Sequence, residues 1–141
     1  MKIVELARER CVVCLSSEHR LAAQDTAKVE QILDEPFIAA PSNGKWRDYR
    51  TANDYRLGRP AHIVHEAATV DVELQAVATR KGISITAEST AKYYSRPSVI
   101  FRPIEDMADC AFAIGFRDGS NALVRDMVLV AKEVANRHFS V

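Results

Sequence analysis

The chain lacks an excess of charge of either sign, since 19 Lys and Arg residues stand against 19 Asp and Glu residues. Its short basic runs, residues 45–50 and 80–81, are interrupted by acidic or apolar residues or end at once, so nucleic-acid binding by this chain is not expected. No apolar stretch approaches a membrane span, and the charged N-terminus carries too short an apolar run for a secretory signal. We therefore expect a cytoplasmic protein that makes no membrane contact.

Cysteine is scarce, with Cys11, Cys14 and Cys110 as the complete set. An odd count without a secretory signal indicates reduced thiols rather than a disulfide framework. Cys11 and Cys14 have the C-x-x-C spacing of redox and zinc sites, but the run CVVCL is typical of a buried strand, on which residues three apart point to opposite faces. A second pair of zinc ligands is not visible. We interpret all three as buried structural thiols, with a redox or metal role as the alternative.

Catalytic motifs are missing as well. The sequence contains no G-x-S-x-G elbow, no P-loop, no G-x-G-x-x-G and no H-E-x-x-H. His62 and His65 lie three apart on a presumed strand and so face opposite ways, which argues against a shared metal site. We expect no catalytic residue, no metal and no cofactor. A small α/β enzyme remains an alternative, because a nucleophile and its base can lie far apart in sequence.

The strongest positive signal is in residues 61–89, which read as a strand, a capped helix, a second strand and the start of another helix. Thr69 is a natural N-cap, and Asp71 and Glu73 in the first turn complement the helix dipole. Residues 80–82, Arg-Lys-Gly, are typical of a helix end. The pattern predicts two parallel strands joined by one helix.

The rest of the chain continues the alternation of strands and helices, which predicts one α/β domain with a mostly parallel sheet. Further strands are expected at residues 10–15, 37–40, 99–102 and 110–116, and further helices from Asp25 or Thr26 to just before Pro36, over 46–57, over 90–94 and after Ser120 or Asn121.

Four strings occur in an order that resembles a known family: CVVCLSSEHRLAA, DEPFIAAP, HEAATVDVELQAVATRKGISITAES and SVIFRPIED, followed by a closing strand and helix. Over nearly its whole length the chain resembles the effector-binding domain of LysR-type transcriptional regulators. The resemblance implies a periplasmic-binding-protein type 2-like fold, in which two α/β subdomains are joined by two crossing strands and enclose a small-molecule cleft.

The resemblance also implies that residues 1–141 are an effector-binding domain fragment, truncated at its N-terminal side. About 14–102 would form the complete second subdomain, and 1–13 with 108–141 a remnant of the first. The DNA-binding helix-turn-helix would lie outside this sequence, so DNA is expected as a partner only through that missing domain. The apolar face of the long last helix would lose its natural neighbours, and we expect a homo-oligomer, a dimer or a tetramer.

By resemblance, the second subdomain contributes to the cleft through the loop after Pro41 and through the strand-to-helix junction near Thr69. The chemistry agrees, because these segments offer short hydrogen-bonding groups, close backbone approach and the first amides of a helix, which attract anions. A small organic acid or another anion is the expected effector. The expected effector-binding residues are Ser42, Asn43, Gly44, Trp46, Ala68 and Thr69.

These residues also have simpler interpretations. A threonine at a helix start is more often only a cap, Ser-Asn-Gly is more often only a turn, and Trp46 can pack as readily as it can line a cleft. The function expected from the resemblance is a ligand-sensing domain that regulates transcription. The alternatives are a stand-alone solute-binding module without a transcriptional role, and the small α/β enzyme.

Overall fold

The computed structural model describes residues 1–139, and the chain divides into two compact units. The larger unit is the continuous segment Arg10–Ala108. The smaller unit combines Met1–Glu9 with the chain from Asp109 onward.

The larger unit contains five strands in two hydrogen-bonded sheets. The strands are β2 (Cys11–Ser16), β3 (Phe37–Ala39), β4 (Ile63–Glu66), β5 (Ser84–Ala87) and β6 (Val99–Pro103). One sheet has the order β5-β2-β6, the other consists of β3 and β4, and a parallel bridge between Phe37 and Ile83 joins them.

The expected mostly parallel arrangement is confirmed in this unit, with one exception. β3 and β4 are parallel, and the bridge at Phe37 and Ile83 gives the start of β5 the same direction. β5 and β6 both run antiparallel to β2 and are therefore parallel to each other. β4 and β5 do form two parallel strands joined by a helix, but β3 lies between them. β2 alone runs against its neighbours.

β2 is buried along its entire length. Its sequence CVVCLS contains no charged residue, and both of its edges are hydrogen-bonded, to β5 and to β6. A strand with neighbours on both edges and cover on both faces favours a continuous apolar run over alternation. The expected buried strand at CVVCL is thus confirmed, and Cys11 and Cys14 are both buried.

Three short α-helices connect these strands: α1 (Lys45–Arg50), α2 (Val70–Ala78) and α3 (Glu88–Tyr93). The expected helix over 46–57 is wrong beyond Arg50. Ala52 has a left-handed backbone with φ of 55°, which ends the α-helix, and only a 3₁₀ turn at Asn53–Tyr55 follows. The expected helix before Pro36 is likewise reduced to a 3₁₀ turn at Val29–Gln31.

The end of α2 also differs from expectation. The helix stops at Ala78, and Arg80 rather than Gly82 takes the left-handed position, with φ of 62°. The amides of Arg80 and Lys81 donate to the carbonyls of Val77 and Ala76, both at 3.0 Å, which is the Schellman pattern. Gly82 is needed for another reason, because the backbone of Pro36 passes close to it.

Cys14 lies in the core cluster of the larger unit, with Leu74 and Val77 of α2 and Val99 of β6 among its members. Burial raises the pKa of the Cys14 thiol to about 12, and the negative charge of Glu73 acts in the same direction. A thiol with so high a pKa is neither a good nucleophile nor a good metal ligand, which supports the structural interpretation.

The smaller unit consists of an antiparallel strand pair and one long helix. Residues 2–9, to which the sequence pattern assigns no element, form β1 (Lys2–Glu9), and β1 pairs with β7 (Cys110–Phe116). The long helix is α4 (Ala122–Phe139). Cys110 is only partly buried, so its interpretation as a buried thiol is wrong; its Sγ lies 3.4 Å from the carbonyl of Glu9.

Substitution of Gly82 by alanine tests the close approach at Pro36. A Cβ at Gly82 would lie 2.6 Å from the Pro36 carbonyl oxygen, which already accepts a hydrogen bond from the amide of Ile83 at 2.8 Å. We expect Gly82→Ala to lower the free energy of unfolding by about 1–3 kcal/mol, measured by urea titration. Gly115→Ala, whose Cβ would make an ordinary 3.6 Å contact with Met1, is the matched control. Equal stability of the two variants would contradict the proposed crowding.

Alkylation tests the protection of Cys14. With a pKa of about 12, only about one Cys14 thiol in ten thousand is ionised at pH 8, and the side chain is also buried. We expect iodoacetamide at pH 8 to leave Cys14 unmodified in the folded protein and to modify it readily in urea, as followed by peptide mass spectrometry. The partly exposed Cys110 is the internal control. Modification of Cys14 at the rate of Cys110 in the native protein would disprove the protection.

Candidate functional site

The two segments expected to bind a ligand leave the sheet side by side. β3 ends at Ala39 and β4 at Glu66, and these two residues are partners in the parallel register. The amide of Ala67 then donates to the carbonyl of Ala39 at 2.9 Å. The loop 40–44 and the junction 67–69 therefore start at the same carboxyl-terminal edge of the sheet, the edge at which α/β proteins bind ligands.

The first segment exposes small polar groups. Ser42, Asn43 and Gly44 are all solvent-exposed. Gly44 has φ of 125°, a backbone conformation that favours glycine, and its carbonyl accepts the amide of Asp48 at 3.0 Å. The left-handed glycine thus turns the loop directly into α1.

The second segment is the N-terminus of α2. Thr69 is the N-cap, as expected, and its Oγ1 accepts the amide of Val72 at 3.3 Å. The amides of Val70 and Asp71 find no acceptor among residues 1–139 and remain open to an external partner. Ala68 and Thr69 are exposed. The cap interpretation of Thr69 is therefore confirmed, and it leaves amides for a ligand.

Arg47 links the two segments, although the sequence pattern does not single it out. Its Nη1 lies 3.1 Å from Oε1 of Glu66 and 3.4 Å from Oδ1 of Asn43. Its spacing of four residues from Asn43 was a usable signal, because a helix starting at Gly44 places the side chain of Arg47 back toward that loop. The pairing with Glu66 depends on tertiary structure and has no local signal.

Trp46 lies at the surface rather than in the core. The residue is 65% exposed, and the guanidinium of Arg50 lies 5.6 Å from the ring centroid. Arg50 in turn contacts Glu73 at 2.5 Å and donates to the carbonyl of Ile85 at 2.7 Å. Glu73 is buried, so this ion pair fastens α1 to α2 and β5 beneath the exposed tryptophan.

α1 also contacts the end of the larger unit. The hydroxyl of Tyr49 donates to the carbonyl of Ala108 at 2.9 Å and lies 2.6 Å from Sγ of Cys11. The hydroxyl of Tyr55 accepts the amide of Ala108 at 2.9 Å. The hydroxyls of Tyr49 and Tyr55 therefore pair with the carbonyl and the amide of Ala108.

The structure brings the expected residues to one edge without joining them all. Asn43 is connected to the β4–α2 junction through Arg47, whereas no hydrogen bond joins Ser42 to Thr69 in the part of the chain that the structure describes. Gly44 and Ala68 contribute only backbone. Arg47 is the residue that sequence reasoning missed.

A separate surface cavity of about 540 Å³ runs along the outer side of α2 and includes none of the six expected residues. Its Arg96 already contacts Asp71 at 2.8 Å and Gln75 at 3.1 Å. Its further lining residues include His65, Thr79 and Lys81. This cavity therefore adjoins the strand-end edge at Asp71, in the first turn of α2.

Two further observations concern residues 1–139 only. Their His, Cys, Asp and Glu side chains nowhere gather in the groups of three or more that a metal ion requires. None of their helices combines the length and apolar character needed to cross a bilayer.

Comparison with known proteins places the fold. The family model described as the LysR substrate binding domain matches residues 1–136. No curated protein matches the sequence.

Solved structures of LysR-family regulators share this fold. The chain is 19% identical to full-length BenM, with a TM-score of 0.75, and the match covers 97% of this chain and 46% of BenM. For the BenM effector-binding domain with its effector benzoate the values are 19% and 0.73, covering 99% of this chain and 66% of that one. For HinK, a LysR family transcriptional regulator from Pseudomonas aeruginosa, they are 18% and 0.69, covering 95% and 47%.

The chain thus spans about half the length of the full-length regulators that it resembles. Its α/β fold is the periplasmic-binding-protein type 2-like fold of their effector-binding domains, as the sequence resemblance implies. With a family model covering residues 1–136, the conclusion follows that this chain belongs to the LysR substrate-binding domain family.

Proposed function

We propose that the larger unit binds a small organic acid or related anion at the edge formed by the ends of β3 and β4. The residues proposed to surround the ligand are Ser42, Asn43, Gly44, Trp46, Ala68 and Thr69, with Arg47 added from the structure. In this proposal the bound ligand regulates transcription, and DNA is contacted by a segment outside this sequence.

The observation that carries the proposal is the register of β3 and β4. Because Ala39 and Glu66 are paired, two segments 27 residues apart in sequence open at one edge. That edge offers the unpaired amides of Val70 and Asp71 and the guanidinium of Arg47, all of which favour a negative group. The BenM effector-binding domain has benzoate, a carboxylate, as its effector, which agrees with this ligand class.

Regulation in this proposal works by a shift of population. A ligand changes the balance between two arrangements of the regulator only through its different affinity for them. The larger unit supplies a rigid surface for this, because α1 is fixed by Arg50 to Glu73 and by Tyr49 to Ala108.

Thr69→Val tests the site directly. The substitution keeps the shape of the side chain and removes its hydroxyl, so we expect ligand affinity to fall by about tenfold, the effect of one hydrogen bond. Trp46, the only tryptophan, should report binding through a change in its fluorescence, and calorimetry should give the same affinity.

Thr79→Val, at the other end of α2, is the matched control, because the Thr79 hydroxyl also bonds helix backbone, the Gln75 carbonyl at 2.9 Å. Thr69→Ser, which keeps both hydroxyl and cap, should bind normally. Unchanged affinity of Thr69→Val would remove Thr69 from the site. Saturable binding with constant emission would remove Trp46.

We also propose that the chain forms a homo-oligomer, a dimer or a tetramer, through the smaller unit. α4 and β7 line an apolar groove of about 390 Å³ in that unit, and many of the lining side chains are exposed. Apolar surface of this kind favours association. Exposed lining residues are Phe112, Met127, Val130, Val134 and Phe139.

Light scattering at micromolar concentration tests this association. We expect a mass of at least two chains for the wild type and a shift toward the monomer for Val130→Glu, because a charge in the groove opposes its burial. Asn136→Glu adds the same charge to α4 outside the groove and should leave the mass unchanged. A monomeric wild-type chain would refute the proposed oligomer.

A further inference from the structure

Arg47 contacts both segments of the candidate site and could also contact a ligand there. Its side chain is only 17% exposed, so most of it is packed, yet both of its contacts are made by a single nitrogen, Nη1. These contacts are to Glu66, at the end of β4, and to Asn43, in the loop after β3.

The guanidinium of Arg47 has hydrogen-bond donors that make no contact within residues 1–139. Arginine carries five N–H groups in a fixed planar fork. Among residues 1–139, Nε and Nη2 of Arg47 have no acceptor, and neither belongs to the buried side-chain atoms that lack a partner. Neither nitrogen is therefore completely buried, and both belong to a side chain that is held by Glu66 and Asn43.

Glu66 adds a charge that a ligand must meet. Its side chain is 52% exposed and stands against Arg47 at 3.1 Å. An anionic ligand gains attraction from Arg47 and from the free amides at Val70 and Asp71, and it loses some of that gain through repulsion from Glu66. A neutral ligand experiences little of either effect.

Resting on the proposed function, we infer that Arg47 is the specificity-determining residue that selects anionic ligands, and that Glu66 sets how strongly. The Nε and Nη2 donors of Arg47 take the negative group of the ligand, while Glu66 holds the guanidinium in place and opposes further negative charge. Removing Arg47 should therefore weaken the binding of an acid, whereas removing the charge of Glu66 should strengthen it.

These opposite effects distinguish ligand selection from a purely structural role of the pair. If the Arg47–Glu66 pair only holds the two segments together, substitution of either residue loosens the site and weakens the binding of neutral ligands as much as that of anions. Glu66→Gln removes the negative charge and weakens the contact with Arg47 without abolishing it, because the amide oxygen remains a neutral acceptor.

The experiment uses the full 141-residue chain and calorimetry with two matched probe pairs, succinate with succinamide and phenylacetate with phenylacetamide. We expect Arg47→Gln to weaken binding of the acids by about tenfold or more and Glu66→Gln to tighten it by about threefold. Both variants should bind the amides within about twofold of the wild type. Arg47→Lys, which keeps the charge without the fork, should retain part of the preference for acids.

The exposed pair Arg59 and Asp34, whose charged atoms lie 3.8 Å apart outside the candidate site, supplies the controls. Arg59→Gln and Asp34→Asn change the net charge equally and should leave every affinity unchanged. Thermal denaturation of each variant confirms that it is folded.

Three results would overturn the inference. Parallel losses in Arg47→Gln and Glu66→Gln would show a structural clip. Equal binding of acids and amides, with Thr69→Val weakening both, would leave the ligand site standing and remove the charge selection. Binding of neither acid by the wild-type chain would also reject the selection of anions. The proposed function itself fails only if the affinity of every ligand is independent of Thr69 and Ser42.

Discussion

The parallel register between β3 and β4 is the constraint on which the candidate site depends. Ala39 opposite Glu66, extended by the Ala67 amide on the Ala39 carbonyl, fixes where both segments leave the sheet. A slip of one residue would turn every side chain of a strand to the opposite face and would separate Arg47 from Glu66. The chemistry at this edge is therefore set by backbone hydrogen bonds deeper in the unit.

The short helix α1 is held beside this edge by its side chains. α1 has only six residues, too few to be stable by its own hydrogen bonds. It is held by Arg47 on the half-exposed Glu66 and by Arg50 on the buried Glu73. Breaking a buried pair leaves an uncompensated charge, at a cost of about 3–5 kcal/mol, whereas an exposed pair contributes about 1 kcal/mol or less. The Arg50–Glu73 pair therefore contributes more to anchoring α1 than the Arg47–Glu66 pair does.

Local sequence signals predicted much of this fold. The cap at Thr69, the buried run in β2 and the alternation of strands and helices each depend on neighbours in sequence, and the structure confirms them. The signals failed in two places. The helix after Trp46 stops because Ala52 adopts a left-handed conformation, and Gly82 is required by the distant backbone of Pro36 rather than by the end of α2.

The candidate site likewise has some features that the sequence shows and some that it does not. Its backbone features, the glycine turn and the capped helix, are visible in the sequence. The spacing of Arg47 from Asn43 is also local, but a local pattern cannot place Glu66 beside Arg47. β1 was missed for a related reason: its partner β7 lies about a hundred residues away along the chain.

The position of β2 has a consequence for synthesis of the chain. β2 is among the first segments of the larger unit to leave the ribosome, yet its partners are β5 and β6, which end only at Pro103. Until then at least one edge of this uncharged strand stays unpaired, a condition that favours aggregation. A chaperone that shields the nascent β2 until β6 has been made would therefore limit its aggregation.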